Sequence, residues 1–92
     1  MLNNDPDKLL KKRPQLIHSE NMKVRSHVQR EQDDWVVHTL MLSDYDVPFV
    51  YKRKQRYQNL SGARVNLSYY PSRQITAGLA FEIMKVVRLR RS

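Results

Sequence analysis

Cysteine is absent from the chain, which removes disulfide frameworks, thiolate metal sites and cysteine nucleophiles together and suits a reducing compartment. Glycine is almost as scarce, with Gly62 and Gly78 the only two in 92 residues. Two glycines so far apart fit neither a P-loop nor a G-x-G-x-x-G turn, and no G-x-S-x-G elbow presents a serine. No apolar run approaches the ~20 residues that cross a bilayer as a helix. Leu9-Leu10 is followed at once by Lys11-Lys12-Arg13-Pro14, unlike the apolar stretch of a secretory leader. The expectation is a cytoplasmic protein without a membrane partner. The most informative shortage is of acid. From Val47 to Ser92 the only carboxylate side chain is Glu82, against ten lysines and arginines. From Met1 to Asp46 seven cations face eight acids. A net charge of +8 is therefore carried by one half of the chain, and a one-sided field of that kind concentrates polyanions.

A chain of this length supports one small domain with a single modest core. Its 40% hydrophobic content suits a folded protein, while a mean hydropathy of −0.71 leaves room for a polar tail. Residues 1–21 read as that tail, a loosely held arm. Asn4-Asp5-Pro6 is helix-start chemistry and Pro14 a stop, so a short helix over 5–13 is expected within it. From Met22 the apolar period is two. Val24, Ser26 and Val28 alternate with Lys23, Arg25 and His27. Arg30 to Asp34 reads as a turn, and Trp35 to Leu42 as a central strand, apolar on both faces. After the turn at Ser43–Asp46, Val47, Phe49 and Tyr51 share one face and Val50, Lys52, Lys54 and Arg56 the other, with Pro48 marking an edge or bulge. Val65, Leu67 and Tyr69 alternate with Arg64, Asn66, Ser68 and Tyr70. Pro71-Ser72-Arg73-Gln74 reads as the turn into a last strand from Ile75 to Arg90, in which Gly78 permits a bend. Phe81, Ile83, Val87 and Leu89 are expected to face inward there, with a register shift near Met84-Lys85. Trp35, Phe49 and Phe81 are expected core residues. The whole is all-β, a five-stranded antiparallel barrel or curved sheet over 22–92 of OB-like or SH3-like type.

The densest functional signal is Tyr51-Lys52-Arg53-Lys54-Gln55-Arg56-Tyr57. Cations displace counterions from a phosphate backbone, and an aromatic face stacks an unpaired base for roughly 1–3 kcal/mol. On a strand, Lys52, Lys54 and Arg56 stand in line ~6.8 Å apart, close to the phosphate spacing of an extended single strand. Lys85, Arg88, Arg90 and Arg91 form a second basic cluster. Arg64 and an outward Tyr70 add to the same surface, since adjacent strand residues point to opposite faces.

Other patterns carry less. His38 with Asp33, Asp34, Asp44 and Asp46 is the only set resembling metal ligands; it lacks a cation-loop signature, and these acids read as turn formers. Asn66-Leu67-Ser68 resembles part of the N-x-S-x-x-G strand by which one small β-barrel family binds a cyclic dinucleotide. Pro71 stands where that glycine is required, and no arginine run lies at the right distance upstream, so the pattern is incomplete. Nothing assembles a nucleophile, a base or a cofactor site. The expectation is a non-enzymatic module without cofactor or metal that binds nucleic acid, single-stranded or structured RNA before duplex DNA. An interaction module for an acidic protein or a partner strand is the alternative.

Overall fold

The computed structural model describes residues 15–92; the helix expected over 5–13 lies outside them. Five strands follow in chain order: β1 (Ile17–Gln32), β2 (Trp35–Leu42), β3 (Phe49–Arg53), β4 (Arg64–Thr76) and β5 (Leu79–Arg91). They make one mixed sheet, with no helix among the described residues and none long and apolar enough to cross a membrane. The pairings run β1-β2-β3-β5-β4 and return to β1, so the order is cyclic. Four ladders are antiparallel; β3 and β5 pair in parallel through Phe49↔Met84 and Val50↔Lys85 alone.

The ring closes because β1 serves two neighbours. Its first part pairs with β4, from Ile17↔Tyr69 to Lys23↔Arg64, and its second with β2, from Val24↔Leu42 to Gln32↔Trp35. Register shifts between Ser19 and Met22 and between Val24 and Ser26 mark the change of partner. Asn21 sits there at φ 58°, a left-handed conformation that asparagine tolerates better than most residues. Its N–H is held by Asn66 Oδ1 at 2.8 Å, and its carbonyl accepts from Arg64 Nη1 at 3.0 Å. Bulges bend strands and raise their twist, which is what a strand shared between two edges requires. The strand thus starts five residues before the expected Met22. Ile17, His18 and Glu20 are exposed, so no inward apolar residue announces it; pairing with β4 and a 2.9 Å Ser19–Tyr69 side-chain bond hold it instead.

Period two builds the core. In β2, Val36, His38, Leu40 and Leu42 face inward; Phe49 and Tyr51 of β3 and Val65, Leu67 and Tyr69 of β4 do the same. Trp35, expected in the core, is 41% exposed, because the alternation that buries Val36 turns its neighbour outward. On β5 the ladder skips Val87, pairing Ser68 with Arg88 and Tyr69 with Val86. Val86 therefore enters the core, and Val87 is exposed rather than inward. Phe81 is 50% exposed, lying beyond the core in the outer reach of the β4–β5 hairpin.

The residues read as a turn, Pro71 to Gln74, lie within β4, and the turn proper is Ala77-Gly78. Beyond Tyr69, β4 has no partner on its β1 side among the described residues, and an unpaired edge is where a missing N–H is tolerated. Thr76↔Leu79 closes a two-residue loop with φ 53° at Ala77 and 79° at Gly78, the double positive φ of a type I′ hairpin turn. Alanine is strained at the first of these. Ala77→Gly should stabilise the chain by about 0.5 kcal/mol, glycine's greater unfolded-state freedom offsetting part of the relief. Thermal melting should rise by about 2–4 °C. Gly78→Ala should lower it.

Candidate nucleic-acid interface

The structure redistributes the basic segment. β3 ends at Arg53, so Lys52, Lys54 and Arg56 do not form one strand stripe. Beyond Arg53 the chain is held by side chains instead of a ladder. His38 Nε2 lies 3.3 Å from the Gln55 carbonyl, and Gln29 grips both backbone groups of Tyr57, donating to its carbonyl at 2.7 Å and accepting from its N–H at 2.9 Å. Lys54 Nζ lies 4.1 Å above the Trp35 ring. Arg56 pairs with Glu31 at 3.4 Å and donates to the Gln29 carbonyl. Tyr51 offers no stacking face to a base: it is buried, stacked on His38 at 4.8 Å and 6°, with the Arg53 guanidinium 4.9 Å over its ring. Burial raises its hydroxyl pKa, opposed by the Arg53 charge.

Lys52 and Lys85 come together on the outer surface. The registers align Val28, Thr39, Val50, Lys85 and Tyr70 in one row across all five strands, neighbours ~4.8 Å apart. An adjoining row runs Arg30, Val37, Lys52. Facing these rows, the β4–β5 hairpin encloses a cleft of about 280 Å³. Lys52, Arg73 and Lys85 line it from three strands, with Val37, Val50, Ile75 and the buried Ile83 as its apolar part. No acid lines it; Glu82, across the ladder from Arg73, stays outside. Tyr70 is half-buried beside Lys85, on the outward face expected for it.

The remaining expected residues lie elsewhere. Arg88 and Arg90 border a shallow depression with Asn66 and Ser68, and Arg64 is committed to the Asn21 carbonyl. Arg53, Tyr57 and Arg90 meet in a separate cleft between β3 and β5. Sequence reasoning missed Arg73 and Ile75 as site residues because their segment carries Pro-Ser turn chemistry; only the residue types, a cation and a β-branched apolar residue, hinted at a strand.

Beneath this surface two buried histidines form a directed relay. Leu60 N–H donates to His27 Nδ1 at 2.9 Å, so that nitrogen is unprotonated and Nε2 carries the hydrogen. His27 Nε2 then donates to His38 Nδ1 at 2.9 Å, which leaves His38 Nε2 to donate to Gln55. Both rings are neutral, each in one tautomer. Burial is the main cause that lowers both pKa values below 6.5. The neighbouring His38 lowers that of His27 further; for His38 the Gln55 bond pulls upward while Arg53 and Arg56 press down. Among the described residues no group of three His, Cys, Asp or Glu side chains could hold a metal ion.

With folded pKa values below the unfolded value, the unfolded chain binds more protons in acid. The stabilisation is present above pH 6.5 and is lost as pH falls through the folded values. Urea titrations at pH 7.5, 6.0 and 5.0 should show stability falling by up to about 1.4 kcal/mol per pH unit for each histidine. A His27→Gln, His38→Gln double variant should lose most of that slope. No family model, no curated protein and no solved structure matches the chain in comparison with known proteins.

Proposed function

We propose that the protein is a non-enzymatic nucleic-acid-binding module of OB-like architecture that takes single-stranded nucleic acid, RNA before DNA, in the cleft of Lys52, Arg73 and Lys85. The observation that carries the reading is the convergence of three cations from three strands on an acid-free cleft with an apolar floor. Phosphates meet the cations, and bases meet Val37, Val50 and Ile75, with Tyr70 alongside. A curved β surface suits splayed bases better than a duplex major groove, which calls for an inserted helix or ribbon. The cyclic order with a parallel β3–β5 closure favours OB-like over SH3-like, and the outer face of β2–β3 with the β4–β5 hairpin is where OB barrels bind oligonucleotides. Both buried histidines are bonded at both nitrogens, which leaves neither as a free base. A protein-interaction module for an acidic partner or a partner strand is the second reading, and Ile75, Leu79 and Phe81 exposed along the hairpin favour the partner strand.

Binding of labelled single-stranded RNA, single-stranded DNA and duplex DNA 12-mers at 50 and 200 mM salt tests the reading. With three phosphate contacts and a slope of ~0.7 each, single-strand affinity should fall about 20-fold over that range. The triple variant Lys52→Glu, Arg73→Glu, Lys85→Glu should lose at least tenfold in affinity while its melting temperature stays close to the parent's. Undiminished binding by the variant would rule out the cleft as the site.

A further inference from the structure

We infer that the seam between β3 and β5 is a second, separate site, built for a phosphorylated nucleoside. The seam arises from the parallel ladder. After Val50↔Lys85 the two strands part, while β5 continues along β4 as far as Val65↔Arg91. The gap holds a cleft of about 290 Å³, at the lower end of small-ligand pockets and close to the size of one nucleotide.

Its lining supplies two kinds of recognition. Arg53 enters from β3 and Arg90 and Arg91 from β5, with no acid among the lining residues. The only ion pair among the described residues is Arg56–Glu31, so these three guanidiniums have no carboxylate partner there. Guanidinium groups suit phosphate, which they can bind in bidentate fashion. Arg53 is placed by its seat over Tyr51 and its 2.8 Å bond to the Lys52 carbonyl. The second element is Tyr57, a residue 55% exposed although its ring lies 5.9 Å from that of His38 and its backbone is clamped at both polar groups by Gln29. An exposed aromatic held this firmly presents a face without the entropy cost of ordering a loop.

The floor is built rather than incidental. His27, 6% exposed, lines the seam, and its relay through His38 holds the loop at Gln55 and Leu60, on either side of Tyr57. Asn59 Nδ2 adds a 3.1 Å bond to the His27 carbonyl. Arg53 and Tyr57 are thus each held in place, a phosphate falling on the arginines and a base on Tyr57. The site does not depend on the cleft of Lys52, Arg73 and Lys85.

The test is a titration of the 15N-labelled chain with adenosine 5′-monophosphate, adenosine and inorganic phosphate in turn. The expected result is that the nucleotide shifts the Tyr57 amide and the Arg53 and Arg90 Nε signals, binding at least fivefold tighter than either fragment. Tyr57→Ala and Arg90→Glu should each weaken it fivefold or more, whereas Tyr57→Phe and the triple cleft variant should leave it unchanged. Because Tyr57 and Arg90 are exposed, these variants should fold as the parent does. A 5′-phosphorylated tetranucleotide that outbinds both the free nucleotide and its 5′-hydroxyl counterpart would identify a strand end as the source. Equal affinity of the two phosphorylated probes would identify a free nucleotide. Absence of seam shifts at 10 mM nucleotide, equal affinity for phosphate alone, or shifts removed by the cleft variant would each overturn the inference. The last result would leave the cleft reading standing.

Discussion

One strand has to satisfy two neighbours that do not share an edge, and the closed order of the sheet follows from how β1 does so. Its sixteen residues pair first with β4 and then with β2, and the handover occurs at an asparagine in a left-handed conformation. A straight strand would pair with one or the other and leave the sheet open. The bend is held by polar contacts, Asn66 to the Asn21 N–H and Arg64 to its carbonyl, not by apolar packing. Closure therefore rests on a few hydrogen bonds of about 1 kcal/mol each, while the core of Val24, Leu40, Phe49 and Val65 contributes the bulk of the stability.

Closure at the other side of the ring is deliberately thin. Two ladder pairs join β3 to β5, and the loop after Arg53 is tied down by the histidines and Gln29. Backbone groups that leave a ladder need other partners, and side chains from β1 and β2 supply them. The same substitution of side chain for ladder frees Lys54, Arg56 and Tyr57 from strand geometry. It separates the basic segment into a cation over Trp35, an ion pair with Glu31 and a presented ring.

Much of the fold was legible because period two survives wherever one face is buried. Val65, Leu67 and Tyr69 declare their inward face, as Phe49 does, and Tyr70 its outward one. The same parity already placed Tyr51 on the face of Phe49, so its burial follows from the alternation even though its cationic neighbours suggest an exposed ring. What failed had physical causes. Trp35 and Phe81 look like core by type, yet one opens a strand on the outward parity and the other lies beyond the core. Ile17 to Asn21 carry no apolar alternation, being held by strand pairing and polar side-chain bonds. The skip at Val87 changes the parity within β5, so Met84, Val86 and Leu89 pack on the core and Val87 does not. Of the candidate site, Lys52 and Lys85 were legible as cations, but their meeting with Arg73 depends on a parallel pairing that no local pattern encodes. Nor does any local pattern reveal that His27 and His38 share a proton-ordered bond.

Pro71 has a bearing on how the chain behaves among its own copies. Past Tyr69, β4 has no partner on its β1 side among the described residues and continues toward a hairpin with Ile75, Leu79 and Phe81 on its surface. Such an edge is a template on which a second chain can add a strand, the first step toward fibrous association. A residue without an N–H interrupts that template two positions beyond the last β1 pair, and Arg73 sets a charge two positions further on. The hairpin can then keep its apolar side chains in solvent while the backbone denies an incoming strand a continuous register.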